Sequence, residues 1–326
     1  MINLFRRYTP VNLIYLIPIA LLLCIGAFIN VPIDLRPVFF APALSNLIGN
    51  VYEKSITPES SILITLSLTI LQGVLLNHII SKYNLLGKVN YLTALIFVTL
   101  ASIITPFLTL SSALLCNFLL IWMIDKLLSV YRAGEIMAVL FDTGLIIAVG
   151  SLFYFPFIAM FPVIWFALII FRSFNWREWI VGVMGFITIY FLLFIIYLWF
   201  DMLDAFKMIW HPLTRTFPTS LNIDLYDYWV LLAPLFILIL FIISIRQNFF
   251  KSLVFIRKAF QLLFFMLLLA TVSFYLNSNL EEYHFLLCVA PLAIYMAYYF
   301  THAKTRWLYE SAFALLFLAI LYFQWI

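Results

Sequence analysis

Residues 180–200 read IVGVMGFITIYFLLFIIYLWF and contain no charged side chain. A helix rises about 1.5 Å per residue, so this stretch is long enough to cross a hydrocarbon core of roughly 30 Å. It lacks the alternation of apolar and polar residues that a transmembrane β-strand needs. Because lipid cannot hydrogen-bond to an exposed backbone amide, the stretch predicts a transmembrane α-helix.

The composition extends this prediction to the whole chain. Of its 326 residues 66% are hydrophobic and only 10% charged, and the mean hydropathy is +1.13. A soluble domain carries roughly a quarter charged residues, so this chain has too few to cover a water-exposed surface. We therefore predict an all-α fold, a single polytopic transmembrane domain over residues 1–326. About eleven spans are expected, at 11–30, 61–80, 91–109, 112–127, 136–152, 155–171, 180–200, 229–245, 260–277, 284–300 and 309–326.

The basic residues predict the orientation of these spans. With Arg6 and Arg7 in the cytoplasm and the spans alternating, 14 of the 18 lysines and arginines lie inside. The four outside are Arg36, Lys54, Lys207 and Arg215. This asymmetry follows the positive-inside rule and predicts a cytoplasmic amino end and an external carboxyl end. The cations are spread between spans, so the net charge of +4 does not indicate a nucleic-acid partner.

Two connections are long enough to carry chemistry, and both are predicted to be external. They are residues 31–60 and residues 201–228, whereas the cytoplasmic connections are short. Neither contains a strong catalytic motif, and no metal-ligand spacing of Cys and His occurs. The histidines are distributed over both faces of the predicted bundle, so we expect no metal site in which all four converge.

Asp142, within AVLFDTGLIIAVG (138–150), is the only acid predicted to lie well inside a span. A charge at the centre of a membrane helix costs roughly 2.5–3.5 kcal/mol on insertion scales. Asp142 could therefore be a proton or substrate relay, or it could make a helix-packing hydrogen bond beside Thr143 and Gly144. The span pattern offers no intramembrane Lys or Arg as its partner.

The first external loop begins with VPIDLRP (31–37), which contains Asp34 and Arg36. A carboxylate at the outer rim of the bilayer could accept a proton from a hydroxyl nucleophile. The alternative is an exposed ion pair that contributes little to stability.

The second external loop contains KMIWHPLTR (207–215), with Lys207, His211 and Arg215. Cationic side chains of this kind bind phosphate groups through charge-assisted hydrogen bonds. These residues could therefore hold a lipid-linked phosphate, or they could anchor the loop among the headgroups.

The layout resembles that of glycosyltransferases of the GT-C fold, which use polyprenyl-phosphate sugars. The resemblance covers about the first 200 residues, through VPIDLRP, the passage 70–107 and the passage 144–171. It implies that Asp34 is a base, that Arg36 and Arg215 hold the phosphate, and that a divalent cation takes part. The usual paired acids of the first loop are absent here as a compact motif, which leaves a non-catalytic role open.

Nearly the whole chain resembles an inner-membrane family of Bacteroidota, to which a carotene-oxygenase activity is often ascribed. The shared features are the MINLFRRYTP start, NHIISKYNLL (77–86) and SFNWREW (173–179). This resemblance implies a bacterial inner membrane, while the distribution of histidines argues against a four-histidine iron oxygenase. Three functions remain as hypotheses: a transferase acting on lipid-linked sugars, a non-catalytic subunit or scaffold with a membrane-protein partner, and a transporter.

Overall fold

The computed structural model describes residues 1–9, 11–29, 57–131, 134–210, 229, 232–248, 253–276 and 282–325. These residues are helical with short connections, and none of them is in a β-strand. The α-helices are α1 Ile2–Phe5, α2 Val11–Ile14, α3 Leu16–Leu23, α4 Ile25–Ile29, α5 Pro58–Lys82, α6 Leu92–Leu100, α7 Ser112–Ser129, α8 Met137–Phe153, α9 Pro162–Phe171, α10 Trp176–Trp199, α11 Leu203–Met208, α12 Leu232–Asn248, α13 Val254–Val272, α14 Leu286–His302 and α15 Arg306–Trp325. Four 3-10 helices join them: Thr105–Leu108, Phe155–Met160, Ser273–Leu276 and Glu282–Phe285.

Membrane-length helices make up much of this fold, which confirms the prediction of an all-helical membrane protein. Among the described residues, six helical segments are long and apolar enough to cross a bilayer: Pro58–Lys82, Ser112–Ser129, Trp176–Trp199, Val254–Leu276, Glu282–His302 and Arg306–Gln324. Four apolar helices are shorter: Val11–Leu23, Met137–Phe153, Phe155–Phe171 and Leu232–Ile243. The helix α6 has only nine residues, or about 14 Å, and is continued by a 3-10 turn.

The chain reverses direction at Pro106 and at Pro156, in the two 3-10 helices that follow α6 and α8. Proline lacks an amide hydrogen and fixes φ, so it suits the first turn of a helix and interrupts a helix interior. The Arg172 guanidinium lies 3.5 Å from the Gly134 carbonyl oxygen, which shows that α9 returns alongside α8. Both segments are therefore tight hairpins rather than kinks within long helices.

Contacts between distant residues define two ends of the helix bundle. At one end Lys82 contacts Asp125 and Lys126 contacts Asp142. We call this the basic end, because the described lysines and arginines other than Lys207 lie at helix termini there: Arg6, Arg7, Lys82, Lys88, Lys126, Arg172, Arg177, Arg246, Arg257, Lys258, Lys304 and Arg306. At the opposite end the Leu110 amide donates to Ser61, and Tyr154 contacts His284.

Two long apolar helices show how the bundle is arranged. The helix α14 is buried on nearly every side, with Ala290, Ala293 and Ala297 allowing neighbouring helices to approach closely. In contrast α10 buries only four of its residues and exposes large side chains such as Phe191 and Trp199. A helix that is apolar all round suits the protein core or lipid, so α14 forms the centre of the bundle and α10 its lipid-facing edge.

Candidate functional site

Most of the predicted external site lies outside the described residues: Asp34, Arg36, His211 and Arg215. Lys207 is described and lies on the short helix α11, at the end of the bundle opposite the basic end. Its ammonium group is 2.9 Å from the Asp204 carboxylate, and both side chains are highly exposed. An exposed pair of this kind is weak, so Lys207 stays free to exchange its partner for a headgroup or phosphate oxygen.

Asp142 has a basic partner, contrary to the expectation that the spans offer none. Its Oδ2 atom lies 2.6 Å from Nζ of Lys126, which is three residues from the end of α7. Asp142 itself is the sixth residue of α8, so both groups lie near the basic end rather than at mid-membrane. The sequence interpretation missed this contact because it depends on which residues of α7 and α8 face each other, which the pattern of spans does not show.

A second ion pair adjoins the first at the basic end. The Lys82 ammonium group lies 2.7 Å from Oδ1 of Asp125, the residue that precedes Lys126 on α7. Next to it the Tyr83 hydroxyl donates to the Asp125 carbonyl oxygen at 3.0 Å, and burial raises the pKa of this phenol, which keeps it protonated. Successive residues of α7 are thus bound to α5 on one side and to α8 on the other.

A cavity of about 310 Å³ lies nearer the opposite end, between α12 and α13. Both helices pack against α14, and their aromatic side chains Phe241 and Phe260 are 6.0 Å apart between ring centroids. Further from the basic end the helices leave a gap, with Leu235 and Thr271 at its edges. Because both of these edge residues are exposed, the gap opens toward the lipid-facing side of the bundle.

The wall of this cavity is almost entirely hydrocarbon. The residues that line it are Leu100, Ile103, Ile104, Phe107, Pro234, Leu235, Leu238, Leu267, Thr271, Glu282, Phe285, Cys288, Val289 and Leu292. The carboxyl of Glu282 and the hydroxyl of Thr271 are its polar groups, and the latter is already bonded to carbonyls of its own helix. Such a wall binds an apolar chain, because burial of hydrocarbon contributes about 25 cal/mol per Å².

A buried histidine supports the helix turn that forms one side of the cavity. His284 is fully buried; its Nδ1 lies 2.8 Å from the Tyr154 hydroxyl and its Nε2 lies 2.9 Å from the Ala270 carbonyl oxygen. The carbonyl can only accept, so Nε2 carries the proton and Nδ1 accepts from Tyr154. His284 therefore joins α8, α13 and the turn that carries Glu282 and Phe285 to the cavity.

Sequence reasoning missed both the cavity and the His284 contacts. The apolar residues of the cavity have the same composition as every other span, so no local pattern distinguishes them. For His284 a signal exists, since a histidine in an apolar stretch needs hydrogen-bond partners, yet the sequence does not say which of the many tyrosines provides one. Among the described residues, no group of three His, Cys, Asp or Glu side chains lies close enough to hold a metal ion.

Comparison with known proteins places the chain by family. No curated protein and no solved structure matches it. A family model, described as a family of unknown function (DUF6427), matches residues 41–326, which include the cavity, both ion pairs and His284. Since this match covers most of the sequence, the chain belongs to the DUF6427 family.

Proposed function

We propose that this protein is a multi-pass protein of the bacterial inner membrane that holds the hydrocarbon chain of a lipid or lipid-linked substrate at the periplasmic face. The observation that carries the proposal is the apolar cavity between α12 and α13. Its opening toward the lipid-facing side lets a chain enter from the bilayer without crossing water. An acyl or prenyl chain is the ligand whose chemistry fits such a wall.

The orientation follows from the two ends of the bundle. The basic end is cytoplasmic under the positive-inside rule, so the cavity end is periplasmic. We propose eleven spans in this arrangement; support comes from the helices of the described residues, which overlap the positions expected from the sequence and of which six segments are membrane-length.

The catalytic version of this proposal is a GT-C-like transferase. A sugar leaves its polyprenyl phosphate for a hydroxyl acceptor that Asp34 deprotonates, and Arg36, Lys207, His211 and Arg215 bind the phosphate, aided by a divalent cation. Support comes from the loops that carry these residues. Loop 31–60 leads into α5 and loop 201–228 leads toward α12, and both helices begin at the cavity end.

The test is retention of lipid by variants in which the cavity is filled. We expect Val289→Phe and Leu292→Phe to keep fewer bound lipid or polyprenyl phosphate molecules than wild type in native mass spectrometry. Leu315→Phe, which adds the same ring on the exposed face of α15, is the matched control and should retain the wild-type number. Thr271→Trp should lower the number of bound lipids as well, and because Thr271 lies at the exposed edge of the cavity this variant does not disturb the core.

Equal lipid retention by all of these variants would remove the proposal. The catalytic version has its own test, because Asp34→Asn should abolish sugar transfer while lipid retention is unchanged. If the cavity variants lose lipid but Asp34→Asn transfers sugar as well as wild type, the lipid-binding proposal stands and Asp34 is not the catalytic base.

A non-catalytic membrane subunit is the second candidate, and the exposed face of α10 favours it. Large apolar side chains cover this helix from Ile180 to Trp199, and it packs chiefly against α8. A partner helix could replace lipid on this face. Purification in mild detergent should then give a stable complex, which Phe191→Ala together with Phe194→Ala should weaken.

A further inference from the structure

One interface inside the bundle is lined by polar side chains, although the side chains that surround it are apolar. It runs along α5, where it faces α6 and α7, and we call it the polar seam. Each of its six residues is at most 5% exposed: Thr65, Gln72 and Asn77 on α5, Thr93 on α6, and Ser112 and Asn117 on α7.

Every one of these residues has a buried oxygen atom without a hydrogen-bond partner. The hydrogen bonds donated by the side-chain nitrogen atoms of Asn117 and Gln72 show how these two amides are oriented. Nδ2 of Asn117 donates to the Leu286 carbonyl oxygen at 3.0 Å, and Nε2 of Gln72 donates to the Leu114 carbonyl oxygen at 2.7 Å. Rotating either amide would place its oxygen against a carbonyl oxygen, so the unpartnered atoms at these positions are acceptors.

Contacts between the helices show which of these oxygens lie at the same level. The helices α5 and α7 are parallel, with Ser61 beside Leu110 and Lys82 beside Asp125. Thr65 and Ser112 both lie between the contact of Ser61 with Leu110 and that of Gln72 with Leu114, so they occupy the same section of this interface.

The same reasoning pairs the other four residues. Asn117 comes three residues after Leu114 and thus lies on the same face of α7, close to the level of Gln72. On the other side of α5, a Cβ placed on Gly73 would lie 3.2 Å from the Ala94 carbonyl oxygen. Since α6 is antiparallel to α5, this contact puts Thr93 near the level of Asn77.

An unpartnered polar atom is expensive inside a membrane, because lipid offers it no hydrogen bond. Water is the one small molecule that can donate to a carbonyl oxygen and both donate to and accept from a hydroxyl. We propose that the polar seam binds buried water at three levels: between Thr65 and Ser112, between Gln72 and Asn117, and between Asn77 and Thr93. The lack of a cationic or anionic side chain among these six residues favours water over an ion.

The spacing of the levels determines what the bound water does. Along α5 the levels are seven and five residues apart, or about 10 Å and 8 Å. A hydrogen bond between waters spans only about 2.8 Å. The three sites are therefore separate bridges that hold α5 against its neighbours, and they do not form a continuous file that would conduct protons.

Radiolytic footprinting tests this proposal on the full-length protein in lipid nanodiscs. A short X-ray pulse converts bound water to hydroxyl radicals, which oxidise the nearest side chains, and mass spectrometry locates the added oxygen. We expect Leu76, Phe97 and Leu114, all fully buried beside the seam, to be oxidised at least three-fold faster than Leu168 and Leu263, after each rate is divided by the reactivity of the free amino acid with hydroxyl radical. The last two are equally buried where α9 packs against α13, away from the seam.

A variant of Asn117 tests the middle water site, between Gln72 and Asn117. Asn117→Leu removes the amide at that level, so the oxidation rate of Leu114 should fall to that of Leu263 while Phe97 is still oxidised. Ser67→Ala, at an exposed position of α5 whose hydroxyl bonds its own helix, is the matched control and should change neither rate. Oxidation of the three wild-type seam residues no faster than Leu168 and Leu263 would overturn the proposal, whether or not the variant folds.

Discussion

The two ends of the helix bundle are held together in different ways. At the basic end, ion pairs join α7 to α5 and to α8, and Arg6 donates from Nε to the Phe300 carbonyl oxygen at the end of α14. At the cavity end most contacts are between apolar and aromatic groups, and the buried polar contacts are neutral hydrogen bonds such as those of Leu110 with Ser61 and of Tyr154 with His284.

This difference shows that the two ends of the bundle have different roles. Charged groups are tolerated where the side chains reach water and headgroups, so the basic end orients the protein and fixes the helix ends. The cavity end has few charges to satisfy among its described residues, so its helices can splay and leave an apolar space. The candidate lipid site therefore lies away from the ion pairs that join α7 to α5 and to α8.

The largest expected effect comes from adding a side chain to a glycine at the cavity end. A Cβ at Gly150 would lie 2.3 Å from the buried Phe157 ring, while a Cβ at Gly134, near the basic end, meets nothing within 4 Å. We expect Gly150→Val to lower the free energy of unfolding by about 3 kcal/mol and Gly134→Ala by less than about 0.5 kcal/mol. Thermal unfolding in detergent measures both, and similar melting temperatures for the two variants would contradict the close contact of Gly150 with Phe157.

A smaller effect is expected from removing the hydroxyl that binds His284. Tyr154→Phe leaves Nδ1 of a fully buried imidazole without a donor, which should cost about 1–2 kcal/mol. The matched control is Tyr322→Phe, because the Tyr322 ring is exposed. If chemical denaturation finds both variants as stable as wild type, the hydrogen bond to His284 does not support the cavity end.

The smallest effect is expected at the basic end, from the pair of Lys126 and Asp142. Both side chains are partly exposed, at 26% and 43%, so their coupling should be about 1 kcal/mol or less. Lys126→Met should destabilise more than Asp142→Asn, because a lysine without its partner can extend to the headgroups. In a double-mutant cycle the two substitutions together should cost less than their sum, and strictly additive values would mean that the pair contributes nothing.

The sequence predicts the helices well, and the contacts between them poorly. Twenty apolar residues in a row are sufficient to predict a span, and the positions of lysine and arginine predict which helix ends lie together. The partner of Asp142 could not be predicted, because Lys126 lies on the preceding helix and the sequence alone does not show which residues of α7 and α8 face each other.

The polar seam could have been anticipated in part. Thr65 and Gln72 are seven residues apart on α5, which places them on one face, whereas Asn77 lies on the side that faces α6. Which helices cover that face, and which amide oxygens are left without a donor, depends on packing across residues far apart in sequence. The cavity depends likewise on the angle between α12 and α13, for which no local pattern exists.

The most direct test of the account is to find where lipid chains contact the protein. A phospholipid with a diazirine on its acyl chain, photo-activated in proteoliposomes, should crosslink Leu238, Val289 and Leu292 in addition to the exposed face of α10. Crosslinks on α10 without any on α14 would contradict lipid binding in the cavity, because α14 is buried and its residues reach lipid only through the cavity.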